Sequence, residues 1–495
     1  MRIWRRIAGS GTGIVVLGLL LVGLLTACAQ SPPGPENPGN LRFERSVSWP
    51  EYNVRTFQLD NGVRFFLLED HELPLIDMQV TVRSGAIEVP EGKEGVTRIV
   101  ADAMRSGGSE EYPGDKLNAL LENRAAEMGF SFSLGSGSAS LNCLKEDFPR
   151  LLPVFMDVLQ NPRFPRDKIA LAEQQLRTSI SRRNDEQRDI AVRKYKKLIY
   201  GGDSVYARVP QYETVEAIGR EDMVRFQEQA VRAGNLYVGL VGDFDADRMV
   251  DRLREAFSRV KGGRNQLEFP EVDYSYERSV HLVDKPNVNQ TYILMGHIGD
   301  LRKNPDYAEL QVLNEVLSGG FSGRLFQEIR TKRGLAYSVF GRYGCNIDYP
   351  GMFFVGVRTK SETTLEAIRA VEEELKAVRS EGVAADEVRR AKDRFLNSLV
   401  FSYDTPRKVL QRRMHYAYKG MDWDSFEELI GEVKDVDRRD VERVAQEYLH
   451  PEKMKILLVG NKDELQDELS AMEEEVQEIE LSSAEPSSRQ SAIIR

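Results

Sequence analysis

Over residues 54–86 apolar and polar positions alternate, and the alternation breaks at Asp60-Asn61-Gly62, so the pattern predicts short strands with a hairpin at the break. The period then lengthens. Val96, Ile99, Val100 and Ala103 recur at helical spacing within residues 95–108 and form the expected inward face of a helix. Further along, residues 116–128 are expected as a second helix, 130–141 as a strand of small residues, 148–159 as a third helix and 171–184 as a long amphipathic one. Residues 235–243 (NLYVGLVGD) predict a buried strand, and residues 247–260 the helix that closes this half.

The pattern then returns. Residues 235–242 can be laid on 454–460 with a shift of 218 between the final glycines. The same shift sets Asp222 on Asp440, Ile218 on Val436, Tyr200 on Tyr418 and Gly202 on Gly420. Earlier, Ser106-Gly107-Gly108 falls on Ser318-Gly319-Gly320 with a shift of 212. A repeat of roughly two hundred residues implies two similar domains, not a solenoid of short units. They are expected at 46–260 and 276–470, joined by a linker at 261–275 whose seam reads KGGRNQ. Each copy mixes hairpin strands with helices, so the expected fold class is α+β, a mostly antiparallel sheet with helices packed on it in each half.

Size agrees, since 495 residues exceed what one hydrophobic core serves. The first 27 residues carry Arg2, Arg5 and Arg6 and then an apolar run from Ile14 to Leu25, ending in Leu25-Thr26-Ala27-Cys28. This reads as a secretory signal (1–27) whose end resembles a bacterial lipobox. By that resemblance Cys28 becomes the lipidated N-terminus, residues 28–45 a flexible tether, and the location the cell envelope, at the outer membrane facing the periplasm. Removing the three arginines takes the formal charge from −10 to −13, too acidic for a nucleic-acid partner. Any basic surface must be local, as around Arg330, Lys332 and Arg333. Cys143 and Cys345, in different halves, are expected as free thiols. Residues 471–495 are acidic and then Ser-rich, with disorder expected from Met472 on.

The candidate chemistry lies in residues 318–343 (SGGFSGRLFQEIRTKRGLAYSVFGRY). Leu325, Phe326 and Ile329 predict a helical stripe ending near Arg330, Gly334 a helix stop, and Leu335, Tyr337 and Val339 a strand. Arg330 and Tyr337, seven residues apart across a tight turn, are expected to face a common site where a guanidinium and a phenol can donate to one carbonyl oxygen. Taken singly, each is more simply a helix-capping Arg or a core Tyr. This run resembles the insulinase/pitrilysin family of zinc peptidases, which includes the mitochondrial processing peptidases. The resemblance extends over residues 54–464, and implies two half-domains facing each other across a cleft, with Arg330 and Tyr337 as substrate-binding residues.

That family carries H-x-x-E-H on the first-half helix: two His at i and i+4 bind zinc, and the Glu acts as base on zinc-bound water. Here the first His position holds Arg98, the base position Ala101 and the second His position Asp102. The third ligand, a Glu seventy-seven residues beyond the second His, falls on Ser179. A cation at Arg98 repels metal and no base remains, so no metal or other cofactor is expected in this chain; Arg98 and Asp102 suit a helix-surface ion pair instead. The five histidines, His71, His281, His297, His415 and His450, show no ligand spacing in the sequence. Asp243, Asp245 and Asp247 mimic a calcium loop, yet Arg248 and Arg254 occupy its Gly and Glu positions.

The resemblance therefore implies a non-catalytic subunit with no catalytic residue of its own. It would supply Arg330 and Tyr337 to a metalloendopeptidase whose zinc is held by a partner chain with intact H-x-x-E-H, and it would handle unfolded peptides. The alternative is a non-enzymatic peptide-binding or scaffold lipoprotein of the envelope. An active peptidase in this chain by itself is the weakest of the three readings.

Overall fold

Asp60-Asn61-Gly62 turns the chain as its composition requires: Gly62 takes φ +105°, and Gly62 N–H donates to the Leu59 carbonyl. The turn joins β1 (Arg55–Gln58) to β2 (Arg64–Glu69) in antiparallel register. The structure, a computed structural model, describes residues 52–481. The signal peptide at 1–27, the Cys28 lipidation site, the tether at 28–45 and the tail beyond 481 lie outside the described residues.

The first sheet adds β3 (Leu75–Val82), β4 (Glu127–Phe132), β5 (Gly137–Leu144) and β6 (Leu236–Gly242), in the order β1-β2-β6-β3-β5-β4. The second contains β7 (Ser279–Asp284), β8 (Gln290–Ile298), β10 (Ser338–Tyr343), β12 (Met352–Lys360), β13 (Lys455–Gly460) and β14 (Val476–Glu478). Read from its other edge it runs β14-β7-β13-β8-β12-β10. The two orders correspond strand for strand except at the outer edge, where β14 pairs parallel with β7 while β1 pairs antiparallel with β2. The fold class is α+β with two mostly antiparallel six-stranded sheets, and the internal duplication seen in the sequence is a duplication of sheet topology. Two short strands, β9 (Asp300–Leu301) and β11 (Cys345–Asn346), pair separately.

One face of each sheet packs against helices of its own half. Val96, Ile99, Val100 and Ala103 of the helix Val96–Gly107 join Ile76, Met78, Val80 and Val82 of β3 in the first core, as their spacing predicts. The opposite face is where the halves interlock. The helix Gln187–Tyr200 belongs to the first half by sequence, yet Ile190, Ala191, Tyr195 and Ile199 pack on Val283, Tyr292, Leu294, Leu457 and Val459 of the second sheet. In return, Leu410, Met414 and Tyr418 of the helix Pro406–Lys419 pack on Phe66, Leu68, Tyr237 and Val241 of the first. Each half lends a helix to the other's sheet, so neither sheet buries both its faces alone.

Several local expectations need correction. Residues 116–128 are not one helix: the helix is Gly114–Glu122, and Met128 already lies in β4. Residues 130–141 are not one strand but a hairpin of β4 and β5, because the chain reverses at Ser133–Ser136, with Ser133 N–H donating to the Ser136 carbonyl. The disorder expected from Met472 fails for the described part of the tail. There β14 adds to the second sheet, Glu474 pairs with Arg278, and Ile479 and Leu481 pack on the inter-half core.

Candidate functional site

The metal positions come first, because the helix that carries them is built as the family pattern requires. Gly95 precedes it in the left-handed region at φ +110°, and a Cβ there would come within 2.8 Å of Leu176 Cδ2 on the helix Arg166–Arg182. The two helices that bear Arg98, Ala101, Asp102 and Ser179 are therefore packed side by side. What they present is not a ligand set. Arg98 Nε donates to Asp102 Oδ2 at 2.8 Å, an i,i+4 ion pair on the helix surface. Ala101 is buried at 2% exposure, with no group to act as base, and Ser179 is exposed. A guanidinium already bound to the one carboxylate on this face leaves no anionic ligand free, so these residues do not fit a zinc ion. Among the described residues no three His, Cys, Asp or Glu side chains gather as a metal-ligand group.

Two of the histidines meet in space where spacing gave no hint. His297 and His450 rings lie 5.3 Å apart, but His297 Nδ1 donates to the Ile298 carbonyl at 2.6 Å and Nε2 accepts from His450 N–H at 3.2 Å. Burial pushes His297 down to about 4, so it is a neutral core residue with both nitrogens committed. Cys143 and Cys345 are free thiols on separate sheets, each pushed up to about 12 by burial.

Around Arg330 the chain departs from the predicted α-helix: Phe326–Lys332 is a π-helix, closed by Gly334 at φ +66°. The glycine-rich approach is clamped by Arg394, which donates to Glu315 and to Ser322 Oγ; a Cβ on Gly319 would come within 2.4 Å of its Nε. Three neighbouring cations are paired, Arg324 bidentately with Glu387, Lys332 with Glu328 and Arg333 with Glu373. Arg330 is exposed and has no carboxylate partner among the described residues; it lies over the Phe326 ring at 4.9 Å, and Phe326 packs on Phe321. Tyr337 sits one residue before β10, its N–H donating to the Arg358 carbonyl, with its side chain 54% exposed. It lines a depression of about 380 Å³ with Asn289, Gln290, Lys360 and Glu464. Arg330 does not line that depression; its contact with the Phe326 ring, at an exposed site, is worth about 0.5–1 kcal/mol.

Two larger hollows lie where each sheet meets the helix lent by the other half. One of about 930 Å³ is lined by Thr81, Ser131, Ser133 and Ser138 on the first sheet side and by Arg412 and His415 on the helix Pro406–Lys419. The other, about 460 Å³, is lined by Arg188, Tyr292, Ser338, Phe340 and Arg358. Arg188 and Arg358 were not singled out from the sequence. They come together only through the register of three strands and a helix from the other half, and no spacing signals that.

Comparison with known proteins agrees with this geometry. The sequence profile described as "Insulinase (Peptidase family M16)" matches residues 65–207, and that described as "Peptidase M16 inactive domain" matches residues 217–395. A Helicobacter pylori protein named "non-peptidase homolog YmxG" is 23% identical over 399 residues, covering 80% of this chain and 91% of that protein. A Bacillus subtilis protein named "uncharacterized zinc protease YmxG" is 21% identical, covering 80% and 95%. Among solved structures, a peptidase M16 inactive domain from Pseudomonas fluorescens superposes with a TM-score of 0.74 at 21% identity over 83% of this chain and 98% of that one. The periplasmic protease PqqL from Escherichia coli gives 0.70 at 14% identity over 89% of this chain and 50% of that one. Two family profiles in tandem, over residues 65–207 and 217–395 of a duplicated α+β fold, settle the assignment: the chain belongs to the insulinase family, peptidase family M16.

Proposed function

We propose that this chain is a non-catalytic, peptide-binding subunit of an insulinase-type peptidase, working beside a partner chain that carries H-x-x-E-H and its zinc. One observation carries the proposal. An ion pair and a buried methyl group stand where ligands and base belong, while Arg330 and Tyr337 remain exposed, with no side-chain hydrogen bond or ion pair among the described residues. In such a pair the partner's zinc supplies the activated water. Arg330 and Tyr337 orient an unfolded peptide and donate to its carbonyl oxygen as negative charge develops there. The name of the Helicobacter pylori relative supports a non-peptidase role, although other relatives are named zinc proteases. That this chain matches half the length of PqqL also suits an enzyme built from two such units. Lipidation at Cys28 would hold the assembly at the outer membrane on its periplasmic side.

The test is reconstitution. The chain is purified alone and together with an insulinase-family chain that has intact H-x-x-E-H, and cleavage of a quenched fluorescent unfolded peptide is followed. Cleavage by the mixture, and none by this chain alone, is expected. Cleavage by the isolated chain that a chelator abolishes would overturn the proposal, while failure to bind any such partner would favour the scaffold lipoprotein.

A further inference from the structure

The duplication allows the two sheets to be compared position by position, and one row across them differs in charge. In the first sheet Glu127 of β4 pairs with Asn142 of β5, which pairs with Asp77 of β3, which in turn faces Val241 of β6. In the second, Ser338 of β10 pairs with Arg358 of β12, which pairs with Tyr292 of β8, which faces Val459 of β13. Val241 and Val459 are related by the same shift of 218 that relates the halves in sequence, so the two rows are equivalent. Both lie on the sheet face beside the lent helix.

In the first half the row is self-sufficient. Asp77, half-buried, receives Arg407 from the helix Pro406–Lys419 at 2.7 Å. Desolvation raises the Asp77 carboxyl and Arg407 opposes the rise. In the second half the cations are present and the carboxylate is missing. Arg358 stands in the row, donating to the Gln290 side chain, and Arg188 reaches the Tyr292 hydroxyl from the first turn of the helix Gln187–Tyr200. Neither guanidinium has a carboxylate within ion-pair distance among the described residues, although Glu186 also lines the hollow. Beside them Phe340 lies over Gly356; a Cβ at Gly356 would come within 2.5 Å of its ring. The hollow of about 460 Å³ thus combines two unpaired guanidinium groups, the hydroxyls of Tyr292 and Ser338, and one aromatic wall. A volume in this range suits a short stretch of peptide, and planar guanidinium groups suit a planar carboxylate held by paired hydrogen bonds.

We propose that this hollow is a carboxylate-binding subsite for peptides, in which a carboxylate of the ligand lies between Arg188 and Arg358 and supplies the negative charge that Asp77 supplies in the first half. The aromatic ring of Phe340 then packs the adjoining apolar side chain. The subsite lies within this chain and needs no partner, so it can be tested apart from the catalytic division of labour.

The test uses the purified chain and three N-dansylated tetrapeptides: Ala-Ala-Ala-Phe with a free C-terminus, the same peptide as its amide, and Ala-Asp-Phe-Ala amide. Fluorescence anisotropy is read at low and at high salt. The free-acid probe or the aspartate probe, or both, is expected to bind at least tenfold more tightly than the uncharged amide, and which of them does so identifies the carboxylate as terminal or side-chain. R358Q and R188Q are each expected to weaken that binding at least tenfold, with R358K recovering part of it, and the thermal midpoint of each variant shows that it is folded. R248Q, which removes an exposed cation on the helix Ala246–Phe257 outside the hollow, is expected to leave it unchanged, which excludes a general charge effect. Equal binding of all three probes, binding of none, or undiminished binding by folded R358Q and R188Q would overturn the assignment.

Discussion

At the scale of single residues, function in this chain turns on which charged groups are already satisfied. Arg98 and Asp102 satisfy each other, whereas among the described residues Arg330 has only a ring contact and Tyr337, 54% exposed, has no hydrogen-bond partner for its hydroxyl. Removing that hydroxyl should therefore cost the fold little and the partnered reaction much. Tyr337→Phe is expected to lower turnover of the reconstituted pair on the order of a hundredfold, the usual effect of losing one donor to a developing oxyanion. Co-elution of the two chains should be unaltered. Steady-state cleavage assays on matched complexes check this, and unchanged turnover removes Tyr337 from the chemistry. The identities of Arg330 and Tyr337, and of Arg98, Ala101, Asp102 and Ser179 at the metal positions, could be named from the sequence. The π-helix that carries Arg330 could not, because Leu325, Phe326 and Ile329 satisfy an α-helical period equally well and the wider turn shows only in the backbone hydrogen bonds.

At the scale of elements, the lent helices hold the molecule together, and their fit is tight. Met414, 1% exposed, passes so close to β6 that a Cβ on Gly239 would come within 2.1 Å of its sulfur. Gly239 is a position where the backbone of the first sheet touches the second half's helix, so Gly239→Ala should force Met414 and Leu410 outward. The expected cost is about 1–3 kcal/mol, as for other overpacked interiors. Urea unfolding read by tryptophan fluorescence checks it, and an unchanged midpoint would mean that the helix is not seated there in solution. The first hairpin and the duplication were legible because Asp60-Asn61-Gly62 and the paired glycine-ended strands mark themselves. The lent helices were not anticipated, although Ile190, Ala191, Tyr195 and Ile199 do keep a helical period. Their apolar stripe is interleaved with lysines and arginines, and its partner sheet lies some hundred residues or more away in the chain. The β4–β5 hairpin was missed because small residues run through its turn without a break in pattern.

At the scale of the whole molecule, stability should depend on pH through buried histidines more than through thiols. His297 is held at about 4 in the fold, below the ordinary value of about 6.5 that it recovers on unfolding. Between those values the unfolded chain binds the proton and the folded chain does not. The stability contributed by neutral His297 is thus present above about pH 6.5 and lost as the pH falls towards 4, by at most on the order of 3 kcal/mol. His281 and His450, also lowered by burial, act in the same direction. Denaturant midpoints between pH 7.5 and 4.5 should fall, and His297→Gln should flatten the fall; an equal slope in both proteins would show that His297 is not the group that titrates.

The proposed assembly divides labour between two chains, and metal content measures that division most directly. Zinc is to be counted by atomic emission in the chain purified alone and in its complex with a partner bearing H-x-x-E-H. The expected result is no stoichiometric zinc in the isolated chain and one ion per complex. One zinc per isolated chain, released by Asp102→Asn, would contradict the account.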